Sequence, residues 1–183
     1  MYYIPRLLVT TIACLTFFAL SNCSLIDNGD GSNAQTYYFE VEYVNHAWGY
    51  QHNGFYIDKT GDVFAYNYNE QDDPWNPETR DHFTVEELVD KYSHSNSLCD
   101  KIDFITLKEK QLYIPIALAG NISDTTSDGA DMGTLSYICY RYNSNSNLYT
   151  PIILQVSGDI AFKNESEAAE NLVLWLGTLC QLE

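Results

Sequence analysis

The chain is poor in positive charge. Nine Lys and Arg stand against 25 Asp and Glu, a formal net charge of −16 over 183 residues. That balance excludes nucleic acid as a partner, because a phosphate backbone is held by Lys and Arg. It also disfavours a surface lying flat on anionic lipid. Of the five cysteines no two form a C-x-x-C pair, so a dithiol redox site and a structural zinc knuckle are both absent. No Gly-x-Ser-x-Gly is present, and nucleophilic catalysis, which needs a nucleophile, a base and an orienting group, has no signature here. Acidic pairs are too common in such a chain for any of them to mark acid–base hydrolysis. No internal repeat is visible, and no apolar run reaches the ~20 residues that span a bilayer.

The longest apolar stretch is near the start. Arg6 is the only charged residue before position 27, and Leu7 to Leu20 is interrupted only by Thr10, Thr11 and Thr16. A basic residue followed by a short apolar segment reads as an export signal. The segment ends in Leu20-Ser21-Asn22-Cys23, which resembles the lipobox of bacterial lipoproteins, with Asn22 in place of the usual small residue before the cysteine. The resemblance implies cleavage before Cys23, acyl chains on that residue, and stable anchoring to the cell envelope. Ser24 is not the Asp that retains such proteins in the inner membrane of enteric bacteria, which points to the outer membrane. Residues 1–22 are then the signal, 23–35 a lipidated tether rich in Gly, Asn, Asp and Ser, and 36–183 one globular domain. Loss of Arg6 leaves eight basic against 25 acidic residues, a net charge of −17. Such a surface favours solubility, cations or a basic partner.

Three cysteines remain beyond the tether. An oxidising envelope suits one disulfide. Cys99 with Cys180 is the expected pair, since Cys139 lies in a strand pattern where a small buried residue suits the core.

Tyr37, Phe39, Val41 and Tyr43 alternate with Tyr38, Glu40, Glu42 and Val44, the period of a half-buried strand. Residues 55–58 and 62–66 predict two more strands, joined by a turn in which Gly61 takes positive φ. Thr84-x-x-Glu87 predicts a capping box at the start of a helix whose stripe is Val85, Leu88, Val89 and Tyr92. Residues 100–119 predict a helix broken near Pro115. Residues 135–142 and 149–156 predict paired strands, with 160–162 a short return strand. Pro151 suggests an edge position. Asn164-x-x-Glu167 is expected to cap a last helix with the stripe Ala168, Leu172, Trp175, Leu176 and Leu179. The order predicts an α+β fold: an antiparallel sheet of five to six strands with two to three helices on one face.

Candidate sites are few. Asp124, Asp128 and Asp131 share a Gly-containing loop where carboxylates could hold calcium, but such residues also bond their own backbone in ordinary loops, and no metal or other cofactor is expected. His46, His52, His82 and His94 lack zinc-ligand spacing. Thirteen aromatic residues fall between Tyr37 and Phe83. A sheet covered on one face cannot bury them all, so Tyr38, Tyr56 and the loop residues Trp48, Tyr50 and Trp75 are candidates for exposure. The loops 45–53 and 67–82 are then expected to form one end of the sheet, with Trp48, Tyr50 and Trp75 as anchors for a protein or glycan; the alternative is that these rings pack under the loops. The resulting expectation is a non-enzymatic envelope lipoprotein that binds a partner. An inhibitor or immunity-type protein directed at a basic hydrolase or toxin, and an envelope hydrolase, are the alternatives.

Overall fold

A computed structural model describes residues 35–47, 49–68, 80–93 and 97–180. The signal segment, most of the tether, Cys23, Trp48, Trp75 and His94 lie outside the described residues. Three strands open the fold: β1 (Tyr37–Asn45), β2 (Gln51–Asp58) and β3 (Asp62–Tyr68). Then come β4 (Phe83–Thr84), α1 (Val85–Ser93), β5 (Ser97–Lys101), α2 (Phe104–Gln111) and α3 (Ile114–Leu118). The chain ends with β6 (Thr134–Asn143), β7 (Leu148–Gly158), β8 (Phe162–Lys163) and α4 (Glu167–Leu176). All pairings are antiparallel, in the order β4-β7-β6-β1-β2-β3-β5, with β8 also on β7. The sheet therefore has eight strands rather than five to six. Two of the additions, β4 and β8, are only two residues long and share the outer edge of β7. Pro151 falls in the gap between them, where a strand can do without an N–H donor.

The expectation of helices on one face is also corrected. Alternate residues of the same strands belong to two separate cores. Phe39, Val41, Phe55, Ile57, Cys139 and Leu154 pack with Leu107 of α2, Ile114 and Ala117 of α3, and Ala169, Leu172 and Leu176 of α4. On the opposite face Tyr56, Tyr66, Tyr68, Ile138, Tyr140 and Tyr149 pack with Phe83 and with Leu88 and Tyr92 of α1. Covering both faces accounts for the aromatic surplus. Tyr56, expected at the surface, is buried and stacks on Tyr92 with ring centroids 4.0 Å apart. Tyr38 is half-buried against the first core.

Local chemistry sets the element ends. The capping box forms as expected: Thr84 Oγ1 accepts from the Glu87 N–H (3.1 Å), and Glu87 Oε2 accepts from the Thr84 N–H (2.8 Å). Gly61 sits at φ +82°, and a Cβ there would lie 2.2 Å from the Ile102 carbonyl oxygen, so the β2–β3 turn needs glycine twice over. The predicted helix over 100–119 begins later. Ser97–Lys101 is an edge strand, Asp103 caps α2 by accepting from the Ile105 and Thr106 N–H groups, and Pro115 stands in the first turn of α3, where its missing donor costs nothing. The cap of α4 is Ser166, which accepts from the Ala169 N–H, and not Asn164. Asn164 instead donates to the Ala117 carbonyl and accepts from the Ser166 N–H, tying α3 to the entry of α4. The disulfide joins Cys99 of β5 to Cys180 beyond α4, across 81 positions, and Cys139 is a buried thiol. Burial pushes that thiol's pKa far up, so it is not a nucleophile in the folded chain.

Candidate functional site

Glu40 and Glu42 point from β1 into the second core, at 0% and 3% exposure. Lys91 of α1 meets them there, 1% exposed, with its Nζ 2.8 Å from Glu40 Oε1 and 2.9 Å from Glu42 Oε1. Three phenols complete the shell of Glu40. Tyr66 donates to Oε1 (2.6 Å), while Tyr92 (3.0 Å) and Tyr140 (2.5 Å) donate to Oε2. Glu42 is held on its other side by the buried His52, whose Nε2 lies 2.8 Å from Oε1. A carboxylate only accepts, so His52 carries a hydrogen on Nε2. Its Nδ1 faces the Tyr50 hydroxyl at 3.3 Å. Gly54, between His52 and Tyr56 on the same face of β2, makes room for this shell: a Cβ there would lie 2.6 Å from the Tyr66 hydroxyl and 2.2 Å from the Val41 carbonyl oxygen.

The electrostatics follow from burial and pairing. Burial alone would raise the Glu42 carboxyl, but Lys91 and His52 outweigh it and hold it below its usual range. Burial alone would lower Lys91, and the two carboxylates reverse this, keeping the ammonium charged well beyond its ordinary range. The phenols of Tyr66, Tyr92 and Tyr140 are pushed far up by burial and by Glu40, so they remain donors. Two carboxylates thus share one ammonium in a shell whose hydrogen bonds are matched. Buried polar networks of this kind fix one packing of a core when fully satisfied. The alternation in β1 sets Glu40 and Glu42 on the face opposite Phe39 and Val41 and does not by itself mark them as buried. The signal that could have located them is Lys91, which falls in the apolar stripe of α1 between Leu88 and Tyr92.

The second feature is an open end of the sheet. His52 pairs with Tyr68, Val44 with Thr134, and Thr134 with Gly158. The β1–β2 connection, the last residue of β3, the residues before Thr134 and the turn after Gly158 therefore lie at the same end of the sheet. The predicted loop 45–53 is shorter than expected, because Asn45 already pairs with Gln51. Residues 46–50 form the connection, with the His46 and Tyr50 rings 5.2 Å apart. His46 is exposed, and Tyr50 and Tyr43 are half-buried. Tyr43 donates to the Met132 carbonyl (3.0 Å), and Asp159 accepts from the Met132 N–H (2.8 Å). Asp131 and Asp159 are exposed at this end.

Of the predicted anchors, Tyr50 stands here, while Trp48 and Trp75 lie outside the described residues. Tyr50 also reaches inward through His52, so the open end and the sealed cluster are connected. The calcium candidates are not brought together: among the described residues no three acidic, His or Cys side chains cluster as metal ligands. Asp128 instead accepts from the Gly158 N–H (3.0 Å), while Asp131 takes a left-handed turn conformation at φ 62°. His82 faces Thr150 near the other end of the sheet. No family model matches the chain, and no curated protein or solved structure is similar to it.

Proposed function

We propose that this chain is a lipid-anchored envelope protein that binds a partner through the end of the sheet bearing Tyr43, His46 and Tyr50. The observation that carries the reading is the register that brings the ends of β1, β2, β3, β6 and β7 to one end, aromatic and acidic together, on a sheet packed from both faces. Loops on a rigid scaffold are where binding residues sit. Half-buried Tyr rings offer contact area at little cost in rotamer entropy. A non-enzymatic role is supported by the position of the titratable side chains that share one cluster. Glu40, Glu42, Lys91 and His52 satisfy one another inside the core, away from any substrate. The envelope address rests on the resemblance of Leu20-Ser21-Asn22-Cys23 to a lipobox.

An inhibitor or immunity-type role is the second reading. Asp131 and Asp159 near the aromatic end favour it, because charge complementarity steers a basic partner to such a face.

The test is in cells. The full chain is cross-linked in place and its adducts are compared with those of Tyr50→Ala, Asp131→Asn and Asn145→Ala, the last in the turn at the opposite end of β6 and β7. A discrete adduct, weakened by the first two changes and untouched by the third, supports the binding face. A basic hydrolase or toxin in that adduct selects the second reading. No adduct, or one insensitive to all three changes, contradicts the proposal. A clickable fatty acid taken up by wild type and not by Cys23→Ala supports the anchor, and equal uptake by both refutes it.

A further inference from the structure

The hydrogen bonds at the open end have a fixed direction. The Glu42 carboxylate only accepts, so Lys91 Nζ and His52 Nε2 both donate to it. In the neutral imidazole the other nitrogen is then an acceptor, and the Tyr50 hydroxyl, 3.3 Å from Nδ1, donates inward. The Tyr43 hydroxyl is committed as well: it donates to the Met132 carbonyl and accepts from Asn45 Nδ2. Asn45 Oδ1 in turn takes the Ala47 N–H. Neither phenol has a hydrogen left for a ligand. What Tyr50 offers is its ring, half-buried beside the exposed His46 ring, with centroids 5.2 Å apart and planes tilted by 55°.

The charge of this end has one sign. Asp131 and Asp159 are exposed here, and Asp159 also holds the Met132 N–H. The stretches to which this end belongs, 7–58, 60–79, 111–140 and 142–162, contain no Lys or Arg. The ammonium that the hydrogen-bond chain leads to, Lys91, is buried and shared between Glu40 and Glu42, so it does not offset the two exposed carboxylates. An aromatic ring with no spare donor, beside unopposed carboxylates, suits a cation. A guanidinium fits better than an ammonium. It is planar, stacks on an aromatic face and is weakly hydrated. It has five N–H donors and no acceptor, so it needs none of the hydrogens that Tyr43 and Tyr50 have spent.

We infer that the open end receives an arginine side chain of a basic protein, with the guanidinium lying on the Tyr50 ring and drawn there by the charge of Asp131 and Asp159. His52 is the positioning residue, which turns the Tyr50 hydroxyl inward and leaves the ring as the contact. This rests on the binding-face reading and names the chemistry of its partner.

The experiment uses the full chain in detergent, with isotope-labelled methionine methyl groups. Met132 is one of two methionines, the other being Met1, so its methyl resonance reports the open end. The probes are a peptide of arginine–glycine repeats, the same peptide with citrulline, which keeps the shape and loses the charge, and chitotriose. A saturable shift of the Met132 methyl is expected, at least about tenfold tighter for arginine than for citrulline. Tyr50→Leu should weaken the arginine peptide about fivefold or more, and Tyr50→Phe should recover most of that loss. The nitrogen resonances of the His52 ring should show a hydrogen on Nε2 and a bare Nδ1. Equal binding of the citrulline peptide, no saturable shift, a shift indifferent to Tyr50→Leu, or a hydrogen on Nδ1 would overturn the assignment. So would a shift with chitotriose alone, which moves the site to a glycan. The cross-linked adduct in cells separates the two failures. If it depends on Tyr50 while the arginine peptide fails, the arginine assignment falls and the binding face stands; if it is indifferent to Tyr50, the face itself falls.

Discussion

Replacing Lys91 by Met keeps most of the buried stem and removes the ammonium. Both Glu40 Oε1 and Glu42 Oε1 lie within 2.9 Å of Nζ, so the two oxygens are no more than about 6 Å apart. Two unit charges at that distance repel by about 3 kcal/mol at an effective dielectric constant of 20. Breaking a buried ion pair by removing one partner costs about 3–5 kcal/mol, which agrees. Three phenols and His52 continue to solvate the carboxylates, so the lower end of that range is expected. Urea unfolding at fixed pH reads this loss directly.

The pH dependence gives a second, independent sign. In the wild type the Glu42 pKa is lowered on folding. Its contribution is therefore present above the ordinary value of 4.5 and is lost as pH falls through the lower folded value. The Lys91 pKa is raised, so its contribution is present below the ordinary 10.5 and is lost only as pH rises through the folded value. In Lys91→Met the cation that holds the Glu42 carboxyl down is gone, and burial then raises it. The variant should then gain stability as pH is lowered from 7 toward 5, while the wild type does not. A loss below about 1 kcal/mol with no such gain would refute the account of the cluster.

Gly54→Ala should destabilise by roughly 3 kcal/mol or more, because its Cβ would strike the Val41 carbonyl and the Tyr66 phenol that holds Glu40; thermal unfolding checks it, and a neutral effect would mean the shell is looser than described. Thr84→Ala should cost about 1 kcal/mol through loss of the capping box, read by the same melt. Non-reducing peptide mapping should recover Cys99 with Cys180 and leave Cys139 unreactive to alkylation until the chain is unfolded, and reduction should lower stability by roughly 2–4 kcal/mol.

Elements governed by neighbours in the chain were legible from the residues. The alternation in β1, the glycine turn after Asp58, the Thr84 capping box and the apolar stripe of α4 all depend on local spacing. The pairing of Cys99 with Cys180 followed from the odd count and from Cys139 sitting in a strand. What depended on the other side of the sheet was not legible. Glu40 and Glu42 alternate as solvent-facing residues do, and only the arrival of α1 on that face makes them interior. Residues 100–119 showed no clear period because both stripes of the α2–α3 path are apolar, one facing the core and one facing outward. Ser97–Lys101 was missed as a strand because all five residues are exposed, which leaves an edge strand no hydrophobic pattern. At the open end, Tyr50 was found from its place in an aromatic loop. The convergence of strand ends there is a property of register, which no single strand reveals.

The most direct test of the binding face is Tyr50→Ala, measured for stability and for partner adduct in the same preparation. Tyr50 is half-buried and meets the cluster at its rim, through its hydroxyl at His52 Nδ1 and an edge-on contact with the His52 ring. The change should therefore cost the fold about 1 kcal/mol or less, while a binding anchor lost should weaken the adduct by roughly 2 kcal/mol, about thirtyfold. That split is the predicted result. An undiminished adduct, or a large loss of stability accompanying the loss of adduct, would contradict it and return Tyr50 to the core.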